Sequence, residues 1–174
     1  MTTSSMVLFG IIGGIVGSIA MIGPKMISNI QLGIPYNVNW VVFGIVLGVD
    51  KPSAFASGLG LHILTGIIIG VLFGIITGKI AKLRLTNISR GLTFGVIAGL
   101  IVFGAFFIPM LQNVLAPNLM KLVMEMNPTV PQDMIKQKMQ TKLPTVIQTS
   151  LGLHILFGLV LGIVTHLFAA RYYR

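Results

Sequence analysis

Four long stretches of this sequence contain no aspartate, glutamate, lysine or arginine, and each consists mainly of apolar residues. A helix of about 20 apolar residues is long enough to cross the hydrocarbon core of a bilayer. The sequence therefore predicts an all-α integral membrane protein, a four-helix bundle with spans at Met6–Gly23, Ala54–Gly78, Gly91–Leu111 and Thr149–Ala170. Pro24 is predicted to close the first span, and Pro109 lies near the end of the third.

The composition supports this interpretation. Of the 174 residues, 55% are apolar and only 9% are charged, whereas about 25% charge is usual in soluble domains. So little charge does not cover the surface of a soluble protein. Cysteine is absent, which excludes disulfides and thiolate metal sites. The chain is expected to form one membrane domain, residues 1–174.

Two further segments are apolar but too short or too polar to span. Trp40–Val49 has about ten residues, which predicts a re-entrant or interfacial segment. The long loop Gln112–Gln148 contains LAPNLMKLVMEM and PQDMIKQKMQTKL, both with apolar residues at helical spacing and with flanking prolines. These two segments predict short amphipathic helices on the outer membrane face.

The net charge of +9 is an orientation signal, because the basic residues are concentrated in particular loops. Short loops rich in lysine and arginine stay in the cytoplasm. The sequence therefore predicts a multi-pass protein of the cell membrane with both termini and the second loop in the cytoplasm. The expected partners are the lipid bilayer and other membrane subunits, and nucleic acid is not expected. The residues that carry the signal are Lys79, Lys82, Arg84, Arg90, Arg171 and Arg174.

The sequence also repeats itself. Phe9–Pro24 aligns without gaps with Phe94–Pro109, and the hexapeptide LGLHIL occurs at Leu59–Leu64 and again at Leu151–Leu156. This predicts an internal duplication, with repeat 1 at residues 6–78 and repeat 2 at residues 91–170. Each repeat holds two spans, so the repeats are expected to be parallel and related by a pseudo-twofold axis along the membrane normal.

Many of the 21 glycines recur every fourth residue. Residues four apart share one helix face, and small residues on such a face allow close approach of membrane helices. The stripes therefore predict tight helix packing, either within the chain or with another subunit. The glycines in these stripes are Gly66, Gly70, Gly74, Gly78, Gly91, Gly95, Gly99, Gly158 and Gly162.

His62 and His154 lie on these stripes at matched positions of the two repeats. Ionisable residues inside membrane spans are candidates for function. The first expectation is that no cofactor is bound and that each neutral imidazole forms a hydrogen bond to a neighbouring helix. Alternatively, the two histidines are axial ligands of haem b, or they bind copper with help from the methionine-rich outer loop.

The sequence carries no motif for catalysis. No carboxylate lies in a span, which disfavours a carboxylate-based proton relay. GIITGK at Gly74–Lys79 lacks the spacing of a phosphate-binding loop, and neither GxSxG nor HExxH occurs. The first hypothesis is thus a non-catalytic subunit that packs within a larger membrane complex. The alternatives are a haem- or copper-binding subunit and a small channel or carrier.

The pattern G-x2-GG-x2-G followed by Met-x2-Pro, then LGIP at Leu32–Pro35 and G-x-H-x3-G-x3-G at Gly60–Gly70, resembles the YagU-like and related uncharacterised groups of small membrane proteins. The resemblance implies a compact four-helix unit and no particular activity. The acidic residue expected soon after LGIP is replaced by Asn37 and Asn39. The isoleucine- and lysine-rich, cysteine-free composition is also similar to that of small accessory subunits of the archaeal ammonia monooxygenase.

Overall fold

The computed structural model describes residues 2–172, so the predicted cytoplasmic Arg174 lies outside the described residues. The described chain is all-helical. Four of its helices are long and apolar enough to cross a membrane, as the sequence predicts. They are α1 (Thr3–Gln31), α3 (Lys51–Lys79), α4 (Ile88–Met126) and α5 (Gln132–Tyr172), and a short helix α2 (Val38–Val46) lies between α1 and α3.

The helix ends follow from local sequence. The Thr2 hydroxyl caps α1 by accepting a hydrogen bond from the Ser5 amide at 3.2 Å, and the Asn87 side chain caps α4 through the Arg90 amide at 2.9 Å. Just beyond the ends of α1 and α2 lie Gly33 and Gly48, with φ angles of 66° and 79°. Glycine adopts this left-handed conformation at little cost, which lets the chain leave each helix sharply.

The predicted C-terminal ends of the first and third spans are wrong. Helix α1 continues through Pro24 to Gln31, and α4 continues through Pro109 and Pro117 to Met126. In α4, π-helical stretches at Phe103–Phe107 and Leu111–Leu115 each end two residues before a proline. The wider hydrogen-bonding pattern accommodates a residue that has no amide hydrogen, so the helix bends without breaking.

The two amphipathic segments of the third loop are therefore not separate helices. The first is the C-terminal end of α4, and the second is the N-terminal part of α5, which continues through Pro144. The 39 residues of α4 have a length of roughly 58 Å at ~1.5 Å per residue, about twice the hydrocarbon thickness. The helical hairpin formed by these two ends, joined at residues 127–131, is thus much longer than a bilayer requires.

The long helices pack in the order α3–α1–α5–α4. Extended contacts join α1 to α3, α1 to α5 and α4 to α5, whereas α3 and α4 make no extended contact in the described chain. The arrangement is thus an open row, and α1 is the element that connects the two halves. A core of large side chains fills the junction of α1 and α5, including Phe9, Phe157 and Leu161.

The predicted glycine stripes lie at contacts within the chain. Along α1 and α3, a Cβ atom on Gly10 would overlap the carbonyl of Gly70, and one on Gly14 would overlap the carbonyl of Gly66. Gly74 and Gly78 on α3 meet the Met6 region of α1. Along α4 and α5, Gly91, Gly95 and Gly99 pack in the same way against Gly162, Gly158 and His154. Backbones this close give dispersion contacts that lipid cannot replace.

The two pairs of helices differ in register by one helical turn. In the alignment of the two predicted repeats, Gly99 corresponds to Gly14 and Gly158 corresponds to Gly66. Gly14 packs against the carbonyl of Gly66, but Gly99 packs against the carbonyl of His154, four residues before Gly158. The two halves use the same kind of contact in two different alignments.

The short helix α2 folds back against the N-terminal part of α3. A Cβ atom on Gly58 would overlap the carbonyl of Trp40, and one on Gly44 would overlap Ala54. Val38 and Val42 of α2 join Phe107, Leu111 and Leu115 of α4 in a second apolar core. Helices α3 and α4 make no extended contact with each other in the described chain. Helix α2 therefore bridges them at one end of the molecule.

Candidate functional site

The gap between α3 and α4 contains a cavity of about 340 Å³. Helices α1 and α5 form its floor, α3 and α4 form its sides, and α2 covers the end near the N-terminus of α3. Thr65 and Phe106 line it from opposite sides, and both are exposed, Phe106 with 64% of its surface accessible. The cavity thus has a lateral opening between two membrane-spanning helices.

Most of the cavity wall is apolar. Aromatic rings come from Trp40 and Phe43 of α2, from Phe106 and Phe107 of α4, and from Phe157 of α5. The remaining apolar side chains are those of Met21, Leu61, Ile69, Val102, Met110, Leu115 and Leu153. The polar groups are few, and each has a distinct environment.

His62 reaches this cavity from α3. Its Nε2 lies 3.2 Å from the Ser18 carbonyl of α1, which accepts the hydrogen bond, so Nδ1 is the unprotonated nitrogen of the neutral ring. The ring meets the Trp40 indole edge-on at 6.3 Å. His62 therefore makes the interhelical hydrogen bond that a neutral intramembrane imidazole is expected to make.

His154 lines the same cavity from α5. Its Nδ1 donates to the Ser150 carbonyl of its own helix at 2.7 Å, and its ring lies against Phe103 and Phe107 at centroid distances of 5.6 and 5.0 Å. Its Nε2 makes no hydrogen bond to the described part of the chain. Both histidines that the sequence paired line this cavity, His62 from α3 and His154 from α5. The predicted bond to a neighbouring helix is found for His62 but is wrong for His154, which bonds within its own helix.

Lys25 is the one lysine or arginine of the described chain that lines the cavity. It is half-buried and lines the cavity together with His154. None of the ion pairs in the described residues involves Lys25: Glu125 pairs with Lys51 at 3.2 Å, and Asp133 pairs with Lys136 at 3.8 Å. No carboxylate lines the cavity, so this cation faces it without a counter-ion from the protein.

Two polar side chains near Lys25 also have free hydrogen-bonding capacity. The Ser150 hydroxyl is 2% exposed and has no partner among the described residues. On α2, the Asn39 Oδ1 accepts from the buried Asn29 amide at 2.7 Å, which leaves the Asn39 Nδ2 group as a donor. Buried polar groups without a partner are rare, so the buried Ser150 hydroxyl is the more informative of the two.

The third histidine lies outside this site. His166 is buried near the other end of α5, and its Nδ1 donates to the Leu85 carbonyl in the second loop at 2.9 Å. The described residues contain no group of three or more histidines, cysteines or carboxylates placed to hold a metal ion. His62 and His154 are therefore the only nitrogen ligands of the described chain that the cavity offers to a metal, apart from Lys25.

Sequence reasoning missed Lys25, Ser150 and Asn39. Ser18, Met21 and Lys25 are spaced three and four residues apart, which places them on one helical face. That signal was hidden because the first span was predicted to end at Pro24. Ser150 likewise shares a face with His154, four residues later, but a neutral serine inside a predicted span carries no signal of its own. No protein-family model, curated protein or solved structure matches this chain.

Proposed function

We propose that this is a non-catalytic membrane protein that binds a small, largely apolar molecule which enters laterally from the bilayer. The observation that carries the proposal is the cavity between α3 and α4, which has aromatic and aliphatic walls and an opening flanked by Thr65 and Phe106. Ligand sites are concave, mostly apolar and equipped with a few polar groups. A volume of about 340 Å³ is at the small end of the usual range for such sites and fits one slender molecule.

The single tryptophan of the chain makes the proposal directly testable. Trp40 lines the cavity and is only 3% exposed, so bulk lipid and detergent do not reach its ring. Bromine quenches indole fluorescence on contact. We expect bromoundecanol, titrated as a mole fraction of the detergent micelle, to quench Trp40 in a saturable manner.

Two adjacent exposed positions on α3 provide a matched pair of variants. Thr65→Phe places a ring at the mouth of the cavity and is expected to weaken the apparent affinity by about tenfold, by occlusion and loss of contacts. Leu64→Phe adds a similar bulk next to it, but Leu64 does not line the cavity, so its titration should match the unaltered protein. Quenching that stays linear in bromide, or that is indifferent to Thr65→Phe, would refute the proposal.

A haem or copper role for His62 and His154 stays the alternative prediction, and its support is that both histidines line one cavity. His154 has the arrangement of many metal-bound histidines, with Nδ1 hydrogen-bonded to a carbonyl and Nε2 available. His62 uses Nε2 for the Ser18 carbonyl, so binding a metal through this atom would require it to give up that bond. We therefore expect no Soret band and no stoichiometric copper in purified protein. Either signal would favour a cofactor over a diffusible ligand.

Membership in a larger membrane complex, such as a monooxygenase, also remains a proposal, as does a channel or carrier role. The glycine stripes no longer favour a complex, because they are used within the chain. The hairpin at the ends of α4 and α5, which is longer than the bilayer requires, offers a surface for other subunits. Recovery of larger assemblies after mild-detergent extraction would support a complex.

We further propose that the chain arose by duplication and lies with both termini in the cytoplasm. The repeated LGLHIL segments and the glycine contacts within each half support the duplication. The basic residues of the short second loop support the orientation. In this orientation α2, as an interfacial or re-entrant segment, covers the cavity from the outer leaflet, and Lys25 lies near the outer headgroups.

A further inference from the structure

We infer that the molecule bound in this cavity is an amphiphile with one apolar chain and an anionic head, either a carboxylate or a phosphate. This inference rests on the proposed function and specifies its ligand. The head binds at Lys25, Asn39 and Ser150, and the chain extends along the aromatic wall towards the deeper end of the cavity, where Gly66, Ile69 and Phe157 lie.

The charge of Lys25 is the first argument. A cation among apolar side chains is unfavourable unless an opposite charge or several hydrogen bonds compensate it. All three carboxylates of the chain lie elsewhere, two of them in ion pairs with other lysines. An anion supplied by the ligand would complete the ion pair that the protein leaves open.

The hydrogen-bond donors are the second argument, and they are independent of the charge. The Ser150 hydroxyl is buried without a partner, and the Asn39 amide is held by Asn29 so that its Nδ2 group remains unused. Both side chains line the same cavity as Lys25. An ammonium, an amide and a hydroxyl together form a donor set that suits the oxygens of a carboxylate or phosphate.

The direction of the ligand follows from the helix on which Lys25 lies. Seven residues separate Ser18 from Lys25 on α1, which corresponds to ~10 Å along the axis. Ser18 of α1 and Gly66 of α3 lie at the same level along the helix axes, since a Cβ on Gly66 would overlap the Ser18 hydroxyl. The charged end of the cavity therefore lies towards the outer end of α1 and the apolar end towards the membrane interior, which is how an amphiphile lies in one leaflet.

The test compares two brominated ligands that differ only in the head, bromoundecanoic acid and bromoundecanol, at a pH where the acid is ionised and Lys25 is protonated. With the unaltered protein, we expect the acid to quench Trp40 with about tenfold higher affinity than the alcohol. Lys25→Gln should abolish this preference while leaving alcohol binding in place, which also shows that the variant is folded. Lys51→Gln, at an exposed lysine outside the cavity, should keep the preference.

A second variant tests the same idea by adding charge. Asn39→Asp places a carboxylate in the cavity, and we expect it to remove the preference for the acid by occupying Lys25 and repelling the ligand. If acid and alcohol bind the unaltered protein within about twofold of each other, or if Lys25→Gln retains the preference, the inference is wrong. The proposed function itself survives that result, because it depends only on saturable binding of the alcohol.

The head can belong to a free fatty acid or to a bilayer phospholipid that inserts one chain. Nanodiscs with brominated phosphatidylglycerol separate these sources. The volume of the cavity favours the single-chain acid, so we expect weak quenching by the phospholipid. Strong, Lys25-dependent quenching would instead assign the head to a membrane lipid, and the anionic chemistry of the site would stand. Phospholipid quenching that Lys25→Gln does not reduce would count against the anionic site.

Discussion

Substituting Gly70→Ala is expected to lower the free energy of unfolding by about 2 kcal/mol or more, because overpacking a close contact forces backbone to move. The added Cβ would overlap the carbonyl of Gly10 and approach the α-carbon of Gly14 at 3.3 Å. Both obstacles are backbone atoms of α1, so no side chain can rotate away. The helices must separate, and the neighbouring contact between Gly14 and Gly66 weakens with them.

The same helix provides the control. Gly60 also lies in the interior of α3, but a Cβ at this position would meet nothing within 4 Å. Gly60→Ala should therefore raise the free energy of unfolding, by up to about 1 kcal/mol, because alanine loses less backbone entropy in a helix. Circular dichroism during unfolding in mixed micelles of mild detergent and sodium dodecyl sulfate measures both variants. Equal effects at the two positions would mean that α1 and α3 do not pack through glycine.

Phe157→Ala is expected to cost about 3 kcal/mol, the lower end of the range for removing a buried phenylalanine. The lower end applies because lipid solvates exposed apolar groups well, so the loss comes mainly from packing contacts. Phe157 is 2% exposed, and its ring lies against Gly17 at the junction of α1 and α5. The contact joins the two halves of the protein, so its loss weakens the whole fold.

Phe106→Ala serves as the comparison, since Phe106 lines the same cavity at its exposed rim. Its removal should change the free energy of unfolding by less than about 0.5 kcal/mol, as is usual for exposed positions. The same detergent titration reports both phenylalanine variants. A cost at Phe106 equal to that at Phe157 would show that the rim of the cavity is packed as tightly as its floor.

The number of spans could be predicted because the bilayer sets a length that the sequence must match. The helix ends could not, because the rule that proline ends a helix comes from soluble proteins. In a membrane, leaving the helix exposes backbone groups that lipid cannot satisfy. Helix α4 therefore passes Pro109 with the help of a π-helical stretch. Helix α1 likewise continues past Pro24, because a proline kinks a helix without necessarily ending it.

Part of the candidate site could also be predicted. The repeated hexapeptide identified His62 and His154 as a pair, and the two residues do line one cavity. Lys25 could not be identified, because the first span was predicted to end at Pro24, whereas α1 continues to Gln31. The cavity itself could not be predicted either. Glycine stripes indicate which face of a helix is packed, but they do not identify the helix that packs against it. The sequence therefore did not predict that α1 packs with α5 while α3 and α4 stay apart.

The central position of α1 has a consequence for biogenesis. Its Gly10 and Gly14 face α3, which is synthesised soon afterwards, whereas Gly13 and Gly17 face Leu161 and Phe157 of the last helix. Contacts so distant in sequence form late. Until α5 has been inserted, one side of α1 therefore has only lipid as its neighbour. We therefore expect the protein to assemble as two helix pairs, α1 with α3 and α4 with α5, whose docking creates the floor of the cavity.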